Sequence, residues 1–118
     1  MGNHLGEFEQ LILFALVSLG EDAYGVRIRQ EIEARAGRSV SAGAVYTALE
    51  RLEGRGYVVS RVGEPTPQRG GRRKKYYRIE PAGAAVLSRS FETLSRMADG
   101  LSGKLADLAV SSDGAREE

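Results

Sequence analysis

The chain contains no cysteine, no tryptophan, one histidine and three prolines. Without cysteine there is no disulfide, no thiol nucleophile and no thiolate metal site. A lone imidazole, His4, argues against both a metal centre and a His-based triad. No metal and no cofactor are expected. Long apolar runs are scarce too. The run from Leu11 to Leu19 is shorter than the roughly 20 residues that a membrane-spanning helix needs. Glu7 and Glu9 precede it where a secretion signal would carry basic residues. The expectation is a cytoplasmic protein with no membrane partner.

What is present suits one soluble domain. The length is 118 residues and 42% of them are hydrophobic, enough to build a real core. The net charge of +1 conceals an uneven distribution. Residues 1–60 carry a net of −2, residues 61–79 a net of +6, and residues 80–118 a net of −3. The basic excess centres on Gln68 to Arg78, which holds Arg69, Arg72, Arg73, Lys74, Lys75 and Arg78 and no acidic residue. Clustered like charge contributes little to folding, whereas a polyanion partner gives it a use through counterion release. The plain alternative is a solvated basic loop. Tyr57 to Val62 and Tyr76 to Ile79 are rich in strand formers, and Gly70-Gly71 permits a tight turn. A β-hairpin from about Tyr57 to Ile79 is therefore predicted, with Pro65 and Pro67 in a long loop outside the ladder.

Three helices are predicted before the hairpin. Over residues 5–19, Phe8, Leu11, Ile12, Ala15, Leu16 and Leu19 share one face. Leu13, Phe14 and Val17 make the opposite face apolar as well, which suggests a second subunit against it. Over residues 22–36, Asp22 is the expected N-cap, and Tyr24, Ile28, Ile32 and Ala36 are expected to face the core. Over residues 41–55, Ser41 is the expected cap and Val45, Leu49 and Leu52 the buried stripe. The outer face of this third helix carries Gly43, Tyr46, Thr47, Glu50 and Arg51, with Ala42 and Ala44 in the first turn. Small residues at a helix start let a ligand backbone come close, and unpaired N–H groups there favour phosphate. The plain alternative is an ordinary amphipathic core helix.

A last helix is predicted from Pro81 to about Val110, followed by a frayed tail over residues 111–118. Leu87, Phe91, Leu94, Ala98, Leu101, Leu105 and Leu108 alternate steps of four and three, a heptad stripe suited to dimerisation. Gly100 and Gly103 are places for a kink or break. The overall expectation is a mainly α fold with a small β-hairpin. It is a winged helix-turn-helix over residues 5–80 with a long C-terminal dimerisation helix over residues 81–110.

Four stretches, in this order, resemble the PadR family of bacterial transcriptional regulators, in its short form with one C-terminal helix. They are Leu11 to Leu16, Ala23 to Val26, Ser41 to Glu53, and Gly70 to Ile79. Ala82-Gly83 continues the pattern, and the resemblance covers roughly residues 8–95. It implies a homodimer that binds a pseudo-palindromic operator in double-stranded DNA, usually as a repressor. It places Ser41, Ala42, Gly43 and Thr47 toward base edges and Tyr46 on backbone phosphate. Arg51 is limited to phosphate, and Arg72, Arg73 and Lys74 hold phosphate or enter the minor groove. With Arg69 and Lys75 of the same basic loop, and with Tyr77, these form the expected DNA face. Of Tyr76 and Tyr77 the strand alternation allows only one inward. Dimerisation is assigned to Leu13, Phe14, Val17, Leu87, Phe91, Leu94, Ala98, Leu101, Leu105 and Leu108.

Two departures from the family pattern matter. The lack of tryptophan removes the residues with which some members sandwich flat aromatic ligands, and Pro81 stands where an acidic residue is usual. A small-molecule effector of unidentified chemistry is still a candidate partner, between the first and last helices of two subunits. Phe8, Phe14, Phe91 and Met97 are its candidate lining, each with plain core as the competing reading. Few long donors face outward on the third helix, so DNA shape and half-site spacing are expected to share in sequence choice. The rival function is a winged-helix module that binds an acidic protein surface and no DNA. An RNA-binding role lacks an RNP-type motif. An enzyme is not expected, because Gly70-Gly71 precedes a strand rather than a helix and so is not a phosphate loop.

Overall fold

The computed structural model describes residues 4–64 and 73–117, the last seven of these by their backbone. Arg69, Arg72 and the expected Gly70-Gly71 turn lie outside the described residues. Three helices come first: α1 Glu7–Leu19, α2 Gly25–Ala36 and α3 Ala42–Gly54. An antiparallel pair follows, β1 Val58–Val62 and β2 Lys75–Ile79, then α4 Pro81–Ala98 and α5 Ser102–Glu117. Three helices and a hairpin in this order make a winged helix-turn-helix. Two compact units are distinguished, Met1–Ser88 and Arg89–Glu118, with the division inside α4.

The first unit is organised by α1, α2 and α3 packing on each other. Ile12, Leu13, Ile28, Val45, Leu49 and Leu52 are its largest fully buried side chains. Ser41 caps α3 as expected, its Oγ accepting the Ala44 N–H at 3.0 Å. Asp22 does not cap α2. A 3₁₀ turn takes up Gly20–Asp22, Tyr24 becomes the N-cap residue without a side-chain bond, and Asp22 instead pairs with Arg27 Nε at 3.2 Å. Tyr24 therefore precedes the helix and is only half-buried, and Ala36 at the far end is exposed. Leu13 is also a correction. It is fully buried within its own unit, so the outer apolar face of α1 consists of Phe14 and Val17. The helix start is held by the Glu9 carboxylate, which accepts the Gly6 N–H at 3.1 Å and meets Arg55 Nη1 at 3.4 Å.

The hairpin is sewn onto this base along the outer edge of β2. Val58 faces Ile79, Ser60 faces Tyr77 and Arg61 faces Tyr76. The outer edge of β2 meets the turn before α2, where the Tyr77 N–H donates to the Ala23 carbonyl at 2.8 Å and Tyr24 bridges Tyr76. α4 then starts against the first strand. The Glu80 N–H donates to the Tyr57 carbonyl at 2.9 Å. Gly83, with Val86 and Leu87, is buried there. Leu87, expected on the dimer stripe, thus belongs to the core of the first unit.

The last helix is broken at Gly100, one of the two places expected for a kink or break, and is two helices. α4 ends at Ala98, Gly100 adopts φ +77°, and α5 begins at Ser102. That left-handed conformation stops a helix at little cost when the residue is glycine. Gly103 lies inside α5 without interrupting it, and the α5 backbone continues to Glu117, through residues expected as a frayed tail. In the second unit Phe91, Leu94, Met97, Ala98, Leu101, Leu105 and Leu108 are all exposed. Among the described residues, no helix is long and apolar enough to cross a membrane, and no acidic or histidine cluster could hold a metal.

Gly83 supplies room rather than backbone freedom. A Cβ there would overlap the Tyr57 carbonyl oxygen and stand 3.1 Å from its carbon, and a backbone group cannot swing aside. Gly83→Ala is expected to lower stability by about 1–3 kcal/mol, the cost of overpacking. The denaturant midpoint measures it, and an unchanged midpoint would mean that α4 shifts freely on β1.

Candidate nucleic-acid interface

The exposed side of α3 is where small residues meet solvent. Ser41, Ala42, Gly43, Thr47, Glu50 and Arg51 are exposed, and Tyr46 is 48% exposed. The buried stripe of Val45, Ala48, Leu49 and Leu52 fixes which side this is, because side chains three and four residues apart share a face. No atom within 4 Å would meet a Cβ at Gly43, so this turn is open to a close approach.

Two flanks border that surface. On one, Gly43, Ala44, Thr47 and Arg51 share a shallow hollow with Gly6, Glu7 and Glu9 at the start of α1. Its acidic charge is partly met, since Glu7 pairs with Arg38 at 3.0 Å and Glu9 with Arg55. On the other, the Tyr46 ring lies on the start of α2 at Gly25.

The wing carries the positive charge, and its base is an aromatic–cation stack. Tyr24 and Tyr76 meet edge to face with centroids 5.5 Å apart. Lys74 Nζ sits 4.3 Å from the Tyr24 centroid, and the Arg61 guanidinium 4.6 Å from that of Tyr76. Gly63 lets this stack close, because a Cβ there would stand 2.6 Å from Tyr76 Cε1. Arg61 pairs with Glu21 at 3.7 Å and Arg78 with Glu80 at 3.3 Å. Arg73, Lys74 and Lys75 are exposed and form no ion pair among the described residues.

Of the expected site residues, the structure brings Ser41, Ala42, Gly43, Tyr46, Thr47 and Arg51 onto one helix surface and puts Arg73, Lys74 and Lys75 at the wing base. Tyr77 is a correction. It shares the inward face with Val58 and Ser60, is 6% exposed and belongs to the core. Tyr76 is the outward member of the pair. Tyr24, Gly25 and Gly63 were not expected at the site. Tyr24 and Gly25 belong to one of the stretches that carry the family resemblance and Gly63 follows the first strand, but no local signal named their partners, which tertiary packing brings to them. Phe14 lines an apolar groove of about 400 Å³ between α1 and α2 with Leu11, Ile32 and Arg35, whereas Phe8 packs against the core.

The sequence profile of the transcriptional regulator PadR-like family matches residues 12–89. The chain belongs to this family. Its members regulate transcription and are not enzymes. An uncharacterised protein of Lysinibacillus sphaericus is 35% identical over 85 residues, which span 70% of this chain and 73% of that one. Among solved structures, a PadR family transcriptional regulator from Eggerthella lenta is 29% identical, with a TM-score of 0.62 and coverage of 85% of this chain and 86% of that one. PadR of Bacillus subtilis, solved in complex with operator DNA, is 24% identical with a TM-score of 0.61 and shares the fold. That match covers 72% of this chain and 46% of the B. subtilis protein.

In this PadR-like fold Tyr77 couples the wing to the core and also to pH. Burial raises its phenol pKa, and the negative charges of ionised Tyr46, Glu53 and Glu50 add to the rise. The folded state thus favours the neutral phenol. That contribution is complete below the ordinary tyrosine pKa of about 10 and is lost as pH climbs from there through the higher folded value. Tyr77→Phe has no proton to lose. Its unfolding free energy is expected to fall less steeply above about pH 10 than that of the wild type. Denaturant titrations of both proteins across this range make the comparison, and parallel slopes would contradict it.

Proposed function

We propose that this PadR-like chain is a homodimeric transcriptional repressor that binds a pseudo-palindromic operator in double-stranded DNA. One observation carries the reading. The open, small-residue surface of α3 lies in the same unit as a wing base whose Arg73, Lys74 and Lys75 have no internal ion pair among the described residues. The operator complex of B. subtilis PadR supports it, as a protein of the same fold. In the proposed complex α3 enters the major groove, with Ser41, Ala42, Gly43 and Thr47 toward base edges. Tyr46 and Arg51 bond to phosphate, and the wing clamps the backbone beside the groove.

Dimerisation is assigned to α4 beyond Ser88, to α5 and to the outer face of α1. Leu94, Leu101, Leu105 and Leu108 expose 45–63% of their surface, which is unusual for so many leucines on one short segment. A second copy that covers this surface presents two α3 helices to half-sites about 34–36 Å apart, or a multiple of that. Phe14, Val17, Phe91 and Ala98 are also exposed and complete the assigned dimer set.

The test is an anisotropy titration at several salt concentrations. It compares duplex DNA from upstream of the protein's own reading frame with a scrambled duplex. Tighter binding to the native duplex is the expected result. Absence of binding to either at low salt would transfer the wing to a protein-binding role. Replacing Arg73, Lys74 and Lys75 together with alanine is expected to flatten the log affinity–log salt slope by about 0.9 for each phosphate that is no longer neutralised; an unchanged slope would remove the wing from the interface. Leu101→Asp with Leu105→Asp is expected to convert the dimer to a folded monomer in sedimentation velocity and to weaken operator binding. A persistent dimer would place the interface elsewhere.

A further inference from the structure

Gly25 stands at the first position of α2, is buried, and is not among the glycines with positive φ. What it provides is therefore space. A Cβ there would clash with the Tyr46 hydroxyl and stand 2.5 Å from Cζ and 2.9 Å from Cε1. Tyr46 projects from the exposed side of α3, so the bare backbone of α2 is the seat on which its ring rests. The neighbouring residue, Tyr24, seats the Lys74 ammonium on its own ring at 4.3 Å. Two consecutive residues thus hold one hydroxyl from α3 and one ammonium from the wing, the two kinds of donor that position a phosphate.

We infer that Gly25 is a positioning residue of the DNA face. By withholding a side chain, it fixes where the Tyr46 hydroxyl meets the nucleic-acid backbone. This rests on the DNA-binding reading above. The geometry separates it from a merely structural role. The clash created at Gly25 falls on the far end of a side chain that is half in solvent, so the ring can swing away and the fold can survive. At Gly83 the clash falls on backbone, which has no such freedom.

The experiment uses the full chain and a labelled mixed-sequence duplex at low salt, since a phosphate contact is independent of sequence. Gly25→Ala, Tyr46→Phe, Tyr46→Ala and the double variant Gly25→Ala with Tyr46→Ala are compared by anisotropy and thermal melting. Gly25→Ala is expected to melt close to the wild type yet bind about tenfold more weakly, the scale of one hydrogen bond to a charged group. Tyr46→Phe, which keeps the ring and lacks the hydroxyl, is expected to show a similar loss. In the Tyr46→Ala background, Gly25→Ala is expected to add no further loss. Three results would overturn the inference: wild-type affinity in Gly25→Ala, an additive loss in the double variant, or a Gly25→Ala protein that unfolds while the double variant folds. Failure of the wild type to bind any duplex would instead overturn the DNA-binding reading itself.

Discussion

The bond from the Tyr77 N–H to the Ala23 carbonyl, at 2.8 Å, ties the wing to the turn before α2, and the rest of the proposed interface depends on it. A two-stranded hairpin is at best marginally stable alone. Here the free edge of β2 is bonded to that turn, and Tyr77 fills the space beneath it. That turn leads into Tyr24 and then Gly25, the first residue of α2, so one short segment orients Tyr76, Lys74 and Tyr46. A change in that segment would therefore alter the wing and the exposed surface of α3 together.

α3 shows how a poor helix former is kept helical on an exposed surface. A glycine in a helix costs up to about 1 kcal/mol relative to alanine, and Gly43 sits in the exposed first turns. The buried stripe offsets that cost. Val45, Leu49 and Leu52 are fully buried, and complete burial of such a side chain contributes about 1.5–3 kcal/mol. The Ser41 cap adds to this. Stability is thus drawn from the inner face, which leaves the outer face open for close contact with a ligand backbone.

Charge is divided in a comparable way. Around the three-helix base several arginines are used internally: Arg27, Arg29 and Arg35 on α2, Arg38 in the loop after it and Arg55 just past α3 each meet a carboxylate. At the wing base Arg73, Lys74 and Lys75 meet none among the described residues, and two of these lie over tyrosine rings instead. An aromatic face orients an ammonium without neutralising it, so its charge is still available to a polyanion.

Periodicity in the sequence established the three helices, the α3 cap and stripe, the hairpin and the basic wing, because each rests on local spacing that the fold preserves. The family resemblance rested on the same local patterns. The rest was decided by tertiary structure. Alternation allows one of Tyr76 and Tyr77 inward, but only the packing of β2 on the helices selects Tyr77. Amphipathic spacing offered Leu13 and Leu87 to a partner, but both are consumed by the core of their own unit, since apolar residues bury wherever the nearest surface can take them. The glycines marked two places where the heptad helix could break, and the structure selects Gly100, at φ +77°, and leaves Gly103 inside α5. The seat of Tyr46 on Gly25 joins residues on two different helices, so no local pattern in the chain could encode it.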